Sequence, residues 1–157
     1  MATVEAVRQQ VLGILSGNNV PVEIQSEGEF LVPGPAENSS VLVIIEVKSA
    51  PTGETFVQFI SPVVMEIAED EETQFKAIAL ANQLNNDVIF SRFVFEDGGE
   101  RRDLVLHHEL HGDDLQESEL MRTLVIFATQ ADNADELIQE FLGSGVRAIE
   151  DAESAEA

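Results

Sequence analysis

The 157 residues fit one domain, long enough to bury a sizeable core without staples. With 30 acidic against 8 basic residues the net charge is −22, a field that repels phosphate backbones and anionic lipid heads and argues against nucleic-acid and membrane partners. There is no cysteine, hence no disulfide framework, thiolate nucleophile or thiolate metal site, and the cytoplasm is the expected compartment.

In chain order, Val4, Val7, Val11 and Leu15 recur at helical spacing, with Ile14 widening the stripe, so a first helix is predicted that stops at Gly17-Asn18-Asn19. Segments 20–32 (interrupted at Glu27-Gly28), 41–47 and 55–60 read as a three-strand meander broken by Pro33-Gly34-Pro35 and Pro51-Thr52-Gly53. The run Val63-Val64-Met65-Glu66-Ile67 fits either a continuation of the third strand past Pro62 or a loop into the next helix. That helix starts in Glu69-Asp70-Glu71-Glu72, where acids complement the positive end of the dipole. Phe75, Ile78, Ala79 and Leu84 are its expected apolar side, and Asn85-Asn86-Asp87 its end.

Segments 88–95 and 104–110 flank Asp97-Gly98-Gly99 and predict an antiparallel hairpin. Asp114 with Glu117 reads as a capping box for a long last helix, lined by Leu120, Leu124, Phe127, Ala128 and Ala131 and continued by Ala134, Leu137, Ile138 and Phe141 to Gly143, with a bend at Asp132-Asn133. The fold class is therefore α+β: an antiparallel sheet of five strands with helices packed on it, forming one domain over 1–143, followed by an acidic tail at 144–157 expected to be disordered.

Strand 41–47 is apolar on both sides, with Val41, Val43, Ile45 and Val47 on one face and Leu42 and Ile44 on the other. Alternation in the hairpin puts Ile89, Phe93 and Phe95 on one face and Val88, Phe90, Arg92 and Val94 on the opposite one. Leu42, Ile44, Phe56, Ile60, Phe90 and Val94 can thus share a sheet face away from the deepest packing, a candidate surface for a protein or peptide partner. A second copy of the chain is an equally simple occupant, so a homodimer is expected, and a self-assembling structural dimer is one reading of the whole protein. If the helices cover both sides instead, these positions are ordinary core.

The chemistry-bearing cluster is His107-His108-Glu109-Leu110-His111. On a strand, His107, Glu109 and His111 share a face, a two-histidine, one-carboxylate set suited to zinc or iron, which would make the chain a metal-binding protein or metal-dependent enzyme. The spacing differs from the metalloprotease helix motif, since Glu109 stands two residues after His107. A solvent-facing strand side over a Leu104, Leu106 and Leu110 core explains the same alternation. Gly143-Ser144-Gly145 lacks the strand-turn-helix context of a hydrolase nucleophile, and no glycine-rich loop follows a strand to open a helix. A non-enzyme with no cofactor is the expectation.

The order helix, three strands, helix, two strands, helix resembles the small type III secretion chaperones and, more closely, the YbjN-like domains that share their fold. The resemblance is carried by Ile67-Ala68-Glu69-Asp70-Glu71-Glu72 leading to Ala79-Leu80-Ala81-Asn82-Gln83-Leu84-Asn85, by the hairpin Phe90-Ser91-Arg92-Phe93 to Val105-Leu106-His107-His108-Glu109-Leu110, and by the last helix from Asp114-Leu115. It implies an α+β domain, frequent homodimerisation and a peptide- or protein-binding role, chaperone-like or in the regulation of sensory transduction.

Overall fold

A computed structural model describes residues 1–26, 29–34 and 41–141; the expected tail at 144–157 lies outside them. Helix α1 (Val4–Gly17) opens with the Thr3 side chain accepting from the Ala6 N–H at 3.2 Å and buries Val7, Val11 and Leu15, the stripe read from the sequence. The segment 20–32 is a hairpin rather than one strand. Ser26 enters the left-handed region (φ 51°), so β1 (Val22–Gln25) folds back on β2 (Phe30–Pro33). Strands β3 (Ile44–Ser49) and β4 (Thr55–Val64) follow, and the sheet has six strands instead of five.

The continuation past Pro62 is strand: β4 runs to Val64 with a register shift between Pro62 and Val64. Along β4 the backbone groups of even residues point toward β3. Since β3 pairs only as far as Ile44 opposite Ile60, the N–H that Pro62 lacks falls where no β3 ladder partner waits.

Helix α2 (Glu71–Leu84) begins where the acids are, with Asp70 accepting from the Thr73 N–H at 2.8 Å. Its buried face differs from the expected one. Ala77, Leu80, Ala81 and Leu84 form an uninterrupted i, i+3, i+4, i+7 stripe and go inside, while Phe75, Ile78 and Ala79 are exposed. The next hairpin, β5 (Arg92–Asp97) with β6 (Arg102–His111), starts four residues later than alternation suggested. Phe90 turns left-handed (φ 67°), and the Asn85 side chain clamps Phe93, accepting its N–H at 2.6 Å and donating to its carbonyl at 3.0 Å. Helix α3 (Glu117–Asn133) has Gln116 at its N-cap position, with no side-chain capping bond, and the expected cap Asp114 sits in a turn at φ 58°. Ala134 separates α3 from α4 (Asp135–Phe141), close to the predicted bend.

Neighbouring strands are antiparallel throughout, in the order β1-β2-β3-β4-β6-β5. One sheet face carries Ile45, Val57, Phe59, Leu106 and Phe93, and these join Val7, Val11, Leu15, Leu80, Leu84, Leu120 and Phe127 of the helices in a single core. The rings of Phe59 and Phe127 lie 5.8 Å apart at its centre. Gly112 ends β6 tightly against α1, since a Cβ there would meet the Thr55 carbonyl at 2.8 Å and the Val7 side chain at 3.1 Å.

Candidate functional site

The other sheet face carries no described helix. Leu42, Ile44, Phe56, Ile60 and Val94 are half-buried and stand outside the core, although strand neighbours surround them. Register brings most of them together: Ile44 lies opposite Ile60, and Lys48 opposite Phe56 with its ammonium 5.8 Å from the ring centroid. Val94 pairs with Val105, which is buried on this face beside Pro62. Register therefore places four of the six residues singled out in the sequence, Ile44, Phe56, Ile60 and Val94, on the open face, while Leu42 precedes β3 and lies outside the ladder.

A polar network crosses the middle of that apolar surface. Gln58, opposite Glu109, donates to Glu109 Oε1 at 3.2 Å and to His107 Nδ1 at 3.2 Å. An amide nitrogen can only donate, so Nδ1 accepts, and the proton on His107 Nε2 is donated to Glu96 Oε1 at 2.7 Å. Arg92 closes the network with two parallel bonds of 2.8 Å to the carboxylate of Glu109. This guanidinium holds the Glu109 carboxyl below the usual carboxylate range, and Glu109 in turn raises Arg92.

The metal reading of His107, Glu109 and His111 does not fit this geometry. The three do share a face, but Arg92 occupies both carboxylate oxygens of Glu109, and Gln58 and Glu96 occupy both ring nitrogens of His107. His111 is exposed at the far end of β6, opposite Phe56. Among the described residues no group of three His, Cys, Asp or Glu side chains is placed to hold an ion.

Phe90 departs from the predicted face. Because residues 88–91 precede β5, Val88 and Arg92 are not its strand neighbours, and its side chain is 81% exposed. Its carbonyl accepts from His108 Nδ1, and Gln130 of α3 donates to the Ile89 carbonyl at 2.7 Å, which pins the loop against α3. Between this loop, the end of β6 and the first half of α3 runs a groove of about 560 Å³, lined by Phe90, Leu110, Arg122, Thr123, Ile126 and Phe127 among others. No periodicity in the sequence reports the left-handed Phe90 that stands on its wall at the entrance of β5.

The described residues thus form an antiparallel sheet with helices packed on one face and an apolar second face that stands outside the core. A family model described as "T3SS (YopN, CesT) and YbjN peptide-binding chaperone 1" matches residues 7–151, and the chain belongs to this family. Among solved structures it is similar to YbjN from E. coli (TM-score 0.62, 9% identity, 94% of this chain and 97% of that one). It is also similar to an uncharacterized protein from Methanothermobacter thermautotrophicus (TM-score 0.58, 12% identity, 85% and 97%). A chain of the HopA1–SchA chaperone–effector complex matches with TM-score 0.54 and 9% identity, over 87% and 99%. At these identities the likeness concerns the fold. No curated protein matches the sequence. No described helix is long and apolar enough to cross a membrane.

Proposed function

We propose that this chain is a non-enzymatic module that binds a peptide or protein segment on its open sheet face, in a chaperone-like or regulatory role. The observation that carries the reading is the bare face itself: Ile44, Phe56, Ile60 and Val94 lie outside the core with no described helix over them. An apolar surface of that kind gains about 25 cal/mol for each Å² it hides from water, so a partner or a second copy of the chain is favoured there. The Arg92–Glu109–Gln58–His107 network supplies fixed donors and acceptors among the apolar contacts, which favours some segments over others. The family's printed peptide-binding description supports the same reading, and the cysteine-free composition agrees with work in the cytoplasm.

The test is selection of a displayed random-peptide library on the purified chain, with light scattering of the unliganded protein in parallel. Selected apolar peptides that bind wild type and are lost with Ile60→Ser support the proposal. A dimer whose interface hides Ile44 and Ile60, with no peptide selected, assigns the face to self-association instead.

A further inference from the structure

The groove beside Phe90 adjoins an open strand edge. Just past the end of β6 the Gly112 N–H donates to the Thr55 carbonyl at 2.7 Å, and just before its start the Arg101 carbonyl accepts from the Gly98 N–H at 2.9 Å. Antiparallel alternation from these two anchors points the backbone groups of even residues 106–112 at β4 and those of odd residues toward β5. But β5 ends at Arg92, opposite His107, while β6 continues to His111. The N–H and C=O groups of Glu109 and His111 therefore face outward past the end of β5, with no backbone partner among the described residues.

A second observation concerns charge. In this strongly acidic chain Arg8, Lys48, Lys76, Arg92, Arg101 and Arg102 each pair with a carboxylate. Arg122, exposed on the groove wall, pairs with none among the described residues. Glu109, which also lines the groove, is held by Arg92, and Glu119 stands one turn before Arg122 without forming an ion pair with it, so Arg122 is the groove-lining cation left without a carboxylate partner among the described residues.

We propose that the groove is a second peptide subsite, which takes an extended segment as a short strand added to β6 at Glu109 and His111, with an apolar side chain in the groove and a carboxylate on Arg122. This rests on the reading of the chain as a peptide-binding module and adds where, and in what chemical form, a segment docks. The strand continues the line of β5, antiparallel to β6. The residue opposite Leu110 points its side chain between Phe90 and Ile126, because Leu110 itself lines that side. Helix α3 runs back along β6, since Phe127 packs on Phe59, which is opposite His108. Arg122, one and a half turns nearer the start of α3, thus serves the residue two positions before the apolar one.

The probe is the blocked hexapeptide acetyl-Thr-Glu-Thr-Leu-Thr-Thr-amide, titrated into the full chain by NMR. Saturable binding with a Kd of about 0.1–1 mM is expected. Amide exchange should slow at Glu109 and His111 and stay unchanged at His108 and Leu110, whose N–H groups already serve β4. Exchanging the peptide Glu for Lys should weaken binding about fivefold, and Arg122→Glu, which alters an exposed side chain, should reverse that order. Replacing the central Thr by Pro, which removes a ladder donor, should abolish binding. No saturable binding, unchanged exchange at Glu109 and His111, or indifference to the charge of residue 122 would overturn the subsite. Binding lost with Ile60→Ser but kept with Arg122→Glu would also overturn it while leaving the open-face reading intact; loss with Arg122→Glu alone supports the groove.

Discussion

The two faces of the sheet are built from the same strands and differ in what lies over them. Ile45 and Phe59, directly opposite each other, are fully buried under α1 and α3, whereas Ile44 and Ile60, one residue away on the same two strands, are half-buried and outside the core. Both pairs look alike in composition. A strand that is apolar on both sides needs two covers, and this chain's described helices supply one. The bare side is also where charged and amide groups are locked in place by Arg92, Glu109, Gln58 and His107. The covered side holds the fold together, and the bare side is the one we propose for a partner.

Substitution at matched positions breaks or sharpens that contrast. Phe59→Ala removes the centre of the covered face and is expected to cost about 3–5 kcal/mol of stability, measured by urea unfolding. If it costs no more than a surface change, the core has been misplaced. Ile60→Ser on the bare face should leave a folded protein and weaken partner binding more than tenfold, about 1.4 kcal/mol or greater, in a titration against a selected peptide.

The histidines give a smaller, sharper contrast. His107 is 9% exposed and bonded on both nitrogens, so His107→Ala should cost about 1–2 kcal/mol, while the exposed His111→Ala should change stability by less than about 0.5 kcal/mol. Equal effects at the two positions would mean that the network does not form. The smallest effect concerns pH. Glu109 has its folded-state pKa lowered from 4.5 by the hydrogen bonds from Arg92, so its contribution is present above the unfolded value and is lost as pH falls through the folded one. Arg92 is more than half exposed, so the pair should contribute less than about 1 kcal/mol. Wild type should therefore lose stability from about pH 4.5 downward slightly more steeply than Glu109→Gln, as followed by thermal unfolding; parallel profiles would rule out the pair.

Much of this was legible in the sequence. The α1 and α3 stripes, the acidic start of α2 and the two-sided β3 follow from periods of 3.6 and 2, and the resemblance to YbjN-like domains led to the family. What escaped depended on single backbone angles. The left-handed Ser26 turned one predicted strand into the β1–β2 hairpin, and the left-handed Phe90 cut β5 short and moved that side chain from the sheet face to the groove. No periodicity reports such angles in residues that are not glycine. On α2, two overlapping stripes competed, and only the packing against Phe93 and Leu104 decides between Leu80 and Phe75. At the histidines, alternation gave the shared face correctly, but Gln58 and Arg92 come from other strands, and only the register makes them partners of His107 and Glu109.

The central claim, that the bare face is the binding surface, is tested most directly by isoleucine methyl NMR with a library-selected peptide. Ile44 and Ile60 report the bare face, Ile45 and Ile138 the core, Ile126 the groove and Ile78 the exposed side of α2. The prediction is that saturating peptide shifts the methyl signals of Ile44 and Ile60 most and those of Ile138 least. Shifts centred on Ile78, with Ile44 and Ile60 unmoved, would contradict it.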